Sequence, residues 1–362
     1  MMSFNIRQIL GVSVLALLLT GCIDDSAKIT DCAPVGDRVP LCGWQSPEDM
    51  ELLPDGRTLI VSEMEQQHGA IYGRLSLLDS VDSSKVVLNH QRVQGDERWG
   101  SADCKVPPTD YLAPHGIHLS KRADDRWQLL VVNHGTREAI EFYEVTQQDG
   151  MFDILWRGCA EPPAQTFFND VVALPEGGLM ATHMFPKPEG KVGTLSWAEA
   201  RALLGFNPGH LLHWDGEVFK RVGDFSGDYP NGLQISPDGD TLFINLWLNS
   251  KVIKFDRHEA RVIAEADILH PDNTQWSADG KLLVASHDFT LGDIRLCLSD
   301  GRKACPGLFR VIELDPETMQ TRQLLSQSGA PMGAGTVVQQ VDDQLFVGSF
   351  LGDRILRIPH PD

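Results

Sequence analysis

An all-β fold, a six-bladed β-propeller around a central channel, is what this chain predicts, and three observations carry the prediction. One phrase recurs along it: an apolar run, a turn of the Asp-Gly kind, and a second apolar run. Its clearest copies are MELLPDGRTLIVSE, LQISPDGDTLFINL and TQWSADGKLLVASH. Repetition at intervals of roughly 40 to 70 residues with this turn chemistry is how a propeller reads in sequence. A polar residue or pair also stands directly before a short apolar strand six times: Glu48-Asp49, His115-Gly116, Asn169-Asp170, Asn231-Gly232, Asp272-Asn273 and the run Gly333 to Thr336. Finally, the runs are short and rich in Val, Ile, Leu and aromatics, which is strand and hairpin chemistry. In a propeller the innermost strand of each blade lines the channel, so the six heads converge on one axis. They offer carboxylates, carboxamides and a histidine, groups that hold a hard cation and activate a water.

Taken in order, residues 1–21 stand apart from the fold. Arg7 gives a positive start, Ile9 to Leu19 an apolar stretch, and Leu19-Thr20-Gly21-Cys22 the end. This resembles a bacterial lipoprotein signal, which implies cleavage before Cys22, a diacylglyceryl thioether on its sulfur and an acylated amine. The apolar run falls short of the about 20 residues of a comfortable membrane span. Ile23 after the cysteine, by resemblance to known sorting signals, favours the outer membrane, facing the periplasm. Residues 22–35 read as a tether and 36–362 as the propeller. The first blade opens at Glu48 and runs to YGRLSLLD; the second opens at His115 and runs to AIEFYEV. The third opens at Asn169, carries a short helical insertion from Ser196 (as N-cap) to Leu204, and resumes at GHLLHWDGEVFKRV. The fourth opens at Asn231, the fifth at Asp272, and the sixth near Gly333, ending in DRILRI. The sixth lacks a strand, and the segment Gly36 to Trp44 is expected to supply it and close the ring.

Setting aside Arg7 from 31 basic residues leaves 30 against 50 acidic ones, a net charge of −20. Phosphate binding needs the opposite sign, so nucleic acid is excluded as a partner. Beyond Cys22, six cysteines remain: Cys32, Cys42, Cys104, Cys159, Cys297 and Cys305. An even number in an exported chain suggests disulfides, with fifteen possible pairings. Two local pairs, Cys32 with Cys42 and Cys297 with Cys305, would leave Cys104 for Cys159. No C-x-x-C spacing points to zinc or redox chemistry.

With the channel residues in order, the chain resembles the paraoxonase/arylesterase family of six-bladed propellers. The likeness runs from about Ser46 to Ile358 through PEDMELLPDG, PHGIHLS, LLVVNHG, FNDVVALPEGG, PNGLQISPDG, PDNTQWSADGKLLVASH and GAGTVVQQVDDQLFVGSF. It implies a calcium-dependent hydrolase with two ions in the channel. The catalytic calcium would be held by Glu48, Asn169, Asn231, Asp272 and Asn273. A deeper structural calcium would be held by Asp49, Asp170 and the backbone carbonyl of Ile117. The family's histidine pair falls on His115 and His134. The likeness does not extend to the family's disulfide between chain ends, since no cysteine follows Cys305.

The residues read alone agree. Calcium takes six to eight oxygens and accepts carboxylate, amide and backbone oxygens alike. Successive residues on a strand face opposite sides, so Glu48 and Asp49 reach one ion only from an irregular strand start; two ions at different depths remove that difficulty. His183, in ATHMF, is expected where a third-blade loop meets the channel mouth and touches substrate. His118, His210, His213 and His287 form no zinc pattern such as H-E-x-x-H, no G-x-S-x-G elbow exists, and no dinucleotide fingerprint opens a helix. The expected function is a lipid-anchored, calcium-dependent hydrolase of lactones or aryl esters, with the membrane reached only through Cys22. Two other readings stand beside it: a non-enzymatic envelope propeller binding a protein or glycan, and a metal-independent enzyme of the strictosidine-synthase-like kind. Oligomeric state is not legible.

Overall fold

A computed structural model describes residues 28–66, 70–187, 197–206, 208–288, 297 and 303–361. The signal, Cys22 and the expected N-cap Ser196 lie outside the described residues. Six four-stranded antiparallel sheets stand around the axis. The innermost strands are Pro47–Leu52, Pro114–Lys121, Phe168–Ala173, Pro230–Ile235, Pro271–Trp276 and Gly335–Val341. They pack against one another in a closed ring. The predicted six blades and their order stand.

Closure is non-covalent and uses the predicted segment. Val39–Cys42 pairs antiparallel with Arg354–Pro359, Val39 opposite Arg357 and Cys42 opposite Arg354, as the outer strand of the sixth blade. Its two neighbouring edges are thereby satisfied from opposite ends of the chain. The Cys32–Cys42 disulfide ties the tether to this strand, and Cys104–Cys159 and Cys297–Cys305 are the other two bridges.

Each blade has two apolar faces, so the core is divided into six layers between neighbouring blades. Leu59, Val61 and Leu78 of the first blade meet Val337, Phe346 and Ile355 of the sixth. Leu283, Ala285 and Phe309 of the fifth meet Val338, Val347 and Leu356 on the other side. Burying one such side chain stabilises by about 1.5–3 kcal/mol, so every blade depends on both neighbours. Among the described residues, the insertion in blade three holds one short helix, Trp197–Leu203, whose Ala202 packs with Met184 and Phe185.

What positions the site is a feature shared by all six blades. The pairing of the innermost strand with its neighbour slips at the head every time: between Pro47 and Asp49, Pro114 and Ile117, Phe168 and Val171, Pro230 and Leu233, Pro271 and Thr274, and Gly335 and Val338. Four of these heads open on proline, tolerated at the first residue of a strand. The residue before the head is left-handed in Ser46 (φ 41°), Tyr229 (59°), His270 (39°) and Ala334 (54°). Such a backbone costs of order 1–3 kcal/mol and turns the chain abruptly into the channel. A bulge re-aims side chains, and here it turns both residues of each head pair inward, all of them buried except His115, which is partly exposed. This is the irregular strand start that consecutive ligands require.

Candidate active site

The heads form a connected ring. Asn273 Nδ2 donates to Glu48 Oε1 at 2.7 Å, joining the fifth blade to the first. Glu48 Oε1 lies 3.8 Å from His115 Nε2, and Asn169 Nδ2 approaches the same nitrogen at 3.5 Å. Asn231 hydrogen-bonds the Asp272 carboxylate. Two glycines permit this closeness. A Cβ on Gly116 would lie 2.4 Å from Asp170 Oδ1 and 2.7 Å from Asn169 O; one on Gly232 would lie 2.3 Å from Asp272 O. The sixth blade contributes no charge, and Thr336 Oγ1 instead donates to the Glu48 carbonyl at 2.8 Å.

A second ring of polar residues supports the first. Near the end of the second strand of each blade stand Ser62, Asn133, Thr182, Asn245, Ser286 and Ser349, all 0–1 % exposed. Thr182 Oγ1 donates to Asn231 O at 2.8 Å and accepts from Asp170 N at 3.0 Å; Asn245 Nδ2 donates to Asp272 O. Thr182 and Asn245 thereby hold the bulged heads of the third, fourth and fifth blades in place. Sequence reasoning did not single them out, although the repeats show them as the small polar residue closing each second run, in VSE, VNH, ATH, INL, ASH and GSF.

The electrostatics of the ring point to a cation. Burial raises Glu48 and Asp170 well above the ordinary carboxylate range, reinforced by neighbouring acidic groups. Burial likewise lifts Asp49 to about 7 and Asp272 to about 8, against the pull of hydrogen bonds from Ile117, Met50 and Asn231. Five buried carboxylate or amide oxygens have no hydrogen-bond partner among the described residues. Four belong to the predicted catalytic set: Glu48 Oε2, Asn169 Oδ1, Asn231 Oδ1 and Asn273 Oδ1. Leaving such atoms unpaired costs roughly 1–3 kcal/mol each, and a hard cation with oxygen ligands satisfies them together. No three His, Cys, Asp or Glu side chains among the described residues gather into a metal group by themselves; the candidate set depends on asparagine oxygens. The residues present therefore fit calcium rather than zinc.

Deeper in the channel, both oxygens of Asp49 and Asp170 accept backbone amides. Asp49 takes Met50 N and Ile117 N at 2.8 Å each, and Asp170 takes Val171 N and Leu233 N at 2.7 Å each. Ile117 thus meets Asp49 through its N–H.

The histidines divide by role. His115 Nδ1 and His134 Nε2 are 3.0 Å apart, their rings edge to face. His134 Nδ1 lies 3.0–3.1 Å from both oxygens of Glu138, a residue that sequence reasoning passed over although it stands four places on in NHGTRE. His183 is 7 % exposed and accepts the Phe167 amide at Nδ1 at 3.1 Å, while the Phe167 ring lies tilted against His134 with centroids 4.4 Å apart. Its visible work is to hold the wall beside the pair. His287 lies 3.5 Å from Asp272 Oδ2. At the other end of the channel a cavity of about 820 Å³ is lined by Glu51, His118, Trp127, Gln234, Gln275 and other residues, and by none of the predicted site residues.

The arylesterase family model matches residues 47–356, from the first blade head to the last strand. The chain belongs to the arylesterase family. Serum paraoxonase/arylesterase 1 of Homo sapiens is 22 % identical over 316 residues, covering 83 % of this chain and 82 % of that protein. The Mus musculus protein of the same description is 22 % identical over 317 residues, with the same coverage. Among solved structures, a gluconolactonase from Xanthomonas campestris matches with a TM-score of 0.51 at 18 % identity, covering 92 % of this chain and 94 % of that one. At that identity the last likeness speaks to the propeller. The arylesterase match spans all six heads and both members of the histidine pair.

Proposed function

We propose that this arylesterase-family chain is a calcium-dependent hydrolase of lactones or aryl esters. The observation that carries the reading is His115, whose Nε2 lies 3.5 Å from Asn169 and 3.8 Å from Glu48, residues that each carry a buried oxygen without a hydrogen-bond partner. Glu48, Asn169, Asn231, Asp272 and Asn273 would hold the catalytic calcium, and Asp49, Asp170 and the Ile117 carbonyl a structural one. Calcium bound at the first set supplies polarisation of an ester carbonyl and a charge to match the developing oxyanion.

The chain's own groups do the rest. His115 is held well below its ordinary pKa by burial and by the neighbouring His134, so it is neutral and able to accept a proton. It takes one from the attacking water at Nε2, and the proton returns to the departing alkoxide or phenoxide oxygen. Phe167, Phe185 and Tyr229 form an aromatic wall leading from His134, which suits an acyl or aryl group. Cys22, through its lipid, would anchor the enzyme to the bacterial envelope at the outer membrane.

The test uses soluble protein beginning at Ile23, a panel of lactones and phenyl esters, and calcium or excess chelator. Turnover that chelator abolishes and calcium restores is the expected result. Absence of turnover at every calcium level, with calcium still bound, would favour a binding propeller instead.

A further inference from the structure

The hairpin between the second and third strands of blade two carries a third member of the histidine pair. His134 and Glu138 bracket it, and it is firmly held. Asn133 Oδ1 accepts Gly135 N at 2.9 Å and Ala113 N at 3.1 Å, and Thr136 N donates to Tyr111 O at 3.0 Å. Glu138 is fixed from two further directions. Its Oε1 accepts the Phe168 amide at 2.9 Å, and its Oε2 pairs with Lys187 at 3.2 Å. The side chains of His134 and Glu138 are only 5 % and 8 % exposed.

Where each ring carries a single N–H, hydrogen-bond bookkeeping assigns the protons of the pair. A carboxylate only accepts, so His134 Nδ1 must carry the hydrogen between them. With its single N–H at Nδ1, His134 has a bare Nε2, which can only accept. His115 Nδ1 must then be the donor across 3.0 Å, which leaves His115 Nε2 without a proton. Asn169 turns its amide nitrogen towards that atom and leaves its own Oδ1 unpartnered, as a bare Nε2 requires. We infer that Glu138 is the positioning residue of this site: through His134 it fixes the tautomer of His115 so that Nε2 is always the acceptor, and Lys187 holds Glu138 from the rim. When His115 gains a proton, the shared hydrogen can shift towards His134 while the Glu138 carboxylate stabilises the positive charge, without itself being protonated. This rests on the hydrolase reading for its consequence, but the proton positions stand independently of turnover.

The test begins with ¹⁵N-labelled wild-type protein from Ile23 onward, loaded with calcium, read by long-range ¹H–¹⁵N spectra of the histidine rings. His134 and His115 are both expected as Nδ1-protonated tautomers; an Nε2-protonated His134 overturns the inference, whatever the activity. In Glu138→Ala, His115 should lose its single tautomer, and kcat should fall by about 10–100-fold with KM within about twofold. Glu138→Gln keeps an acceptor oxygen and should recover part of that loss. Wild-type spectra and kcat in Glu138→Ala would also overturn it. Should Glu138→Ala fail to fold, the wild-type spectrum decides alone. Should the wild type turn over no ester or lactone, the hydrolase reading fails while the tautomer result still stands or falls by itself.

Discussion

At the scale of single residues, the site separates groups that meet a proton from groups that meet a cation. His115 does the first, with 13 % of its side chain exposed to the channel. Asn231 does the second, with its oxygen buried and unpartnered. His115→Gln should therefore lower kcat by about 10²–10⁴-fold while calcium content stays at the wild-type level. Asn231→Ala should lose calcium and activity together, because it removes an oxygen rather than a base. Elemental analysis beside initial rates distinguishes them; a fully active His115→Gln on every substrate would remove His115 as the base. Much of this was legible in sequence, because asparagine or aspartate at four of the six strand heads forms a pattern that turn propensity alone does not produce. Glu138 was not legible in the same way. It lies in a hairpin tip where acidic residues are ordinary, and only the fold shows it turned inward.

At the scale of the element, the bulged strand head is the unit of construction. It lets Glu48 and Asp49, consecutive in the chain, both reach the channel with 1 % exposure each. The arrangement leaves no room at Gly116, which packs on the neighbouring head. Gly116→Ala would set a methyl 2.4 Å from Asp170 Oδ1, so one of the two strands must shift. Overpacking of this kind costs about 1–3 kcal/mol. The expected outcome is a lower urea midpoint and weaker calcium affinity than in wild type, measured by denaturation across a calcium titration. A midpoint and an affinity both equal to wild type would mean that the heads do not depend on this contact. The outer strands show why elements were only partly readable. Arg261–Asp267 and Thr321–Gln327 face solvent along most of their length, so they lack the apolar runs that reveal inner strands.

At the scale of the whole molecule, a channel of buried carboxylates makes stability depend on cation and pH. Asp49 at about 7 and Asp272 at about 8 keep their protons in the folded, cation-free protein, whereas the unfolded chain releases them near pH 4. A folded pKa raised in this way gives stability that is present in acid and lost as pH rises through the folded value. Buried histidines such as His118 and His183, held at about 4, are neutral in both states above pH 7 and add no slope there. In excess chelator the melting temperature should therefore fall between pH 7 and pH 8.5. Calcium should raise it at both values and flatten the slope, with stabilisation of roughly 2.7 kcal/mol at 100 times the dissociation constant. A cation-free protein that grows more stable with pH in this window would contradict the buried carboxylate ring.

By itself the sequence determined the blade count, the order of the heads and the strand that closes the ring, while the pairing of the six cysteines was left to the fold. The first three follow from periodicity and turn chemistry, which are properties of short stretches of chain. Tertiary structure alone decided how consecutive residues such as Glu48 and Asp49 share one channel, because the register slip depends on the strand alongside. It also decided which oxygens are left without partners, and that Glu138 faces His134. Those outcomes depend on contacts between blades separated by as many as 288 residues, as between Glu48 and Thr336, and no local pattern encodes which atom of an amide is used up.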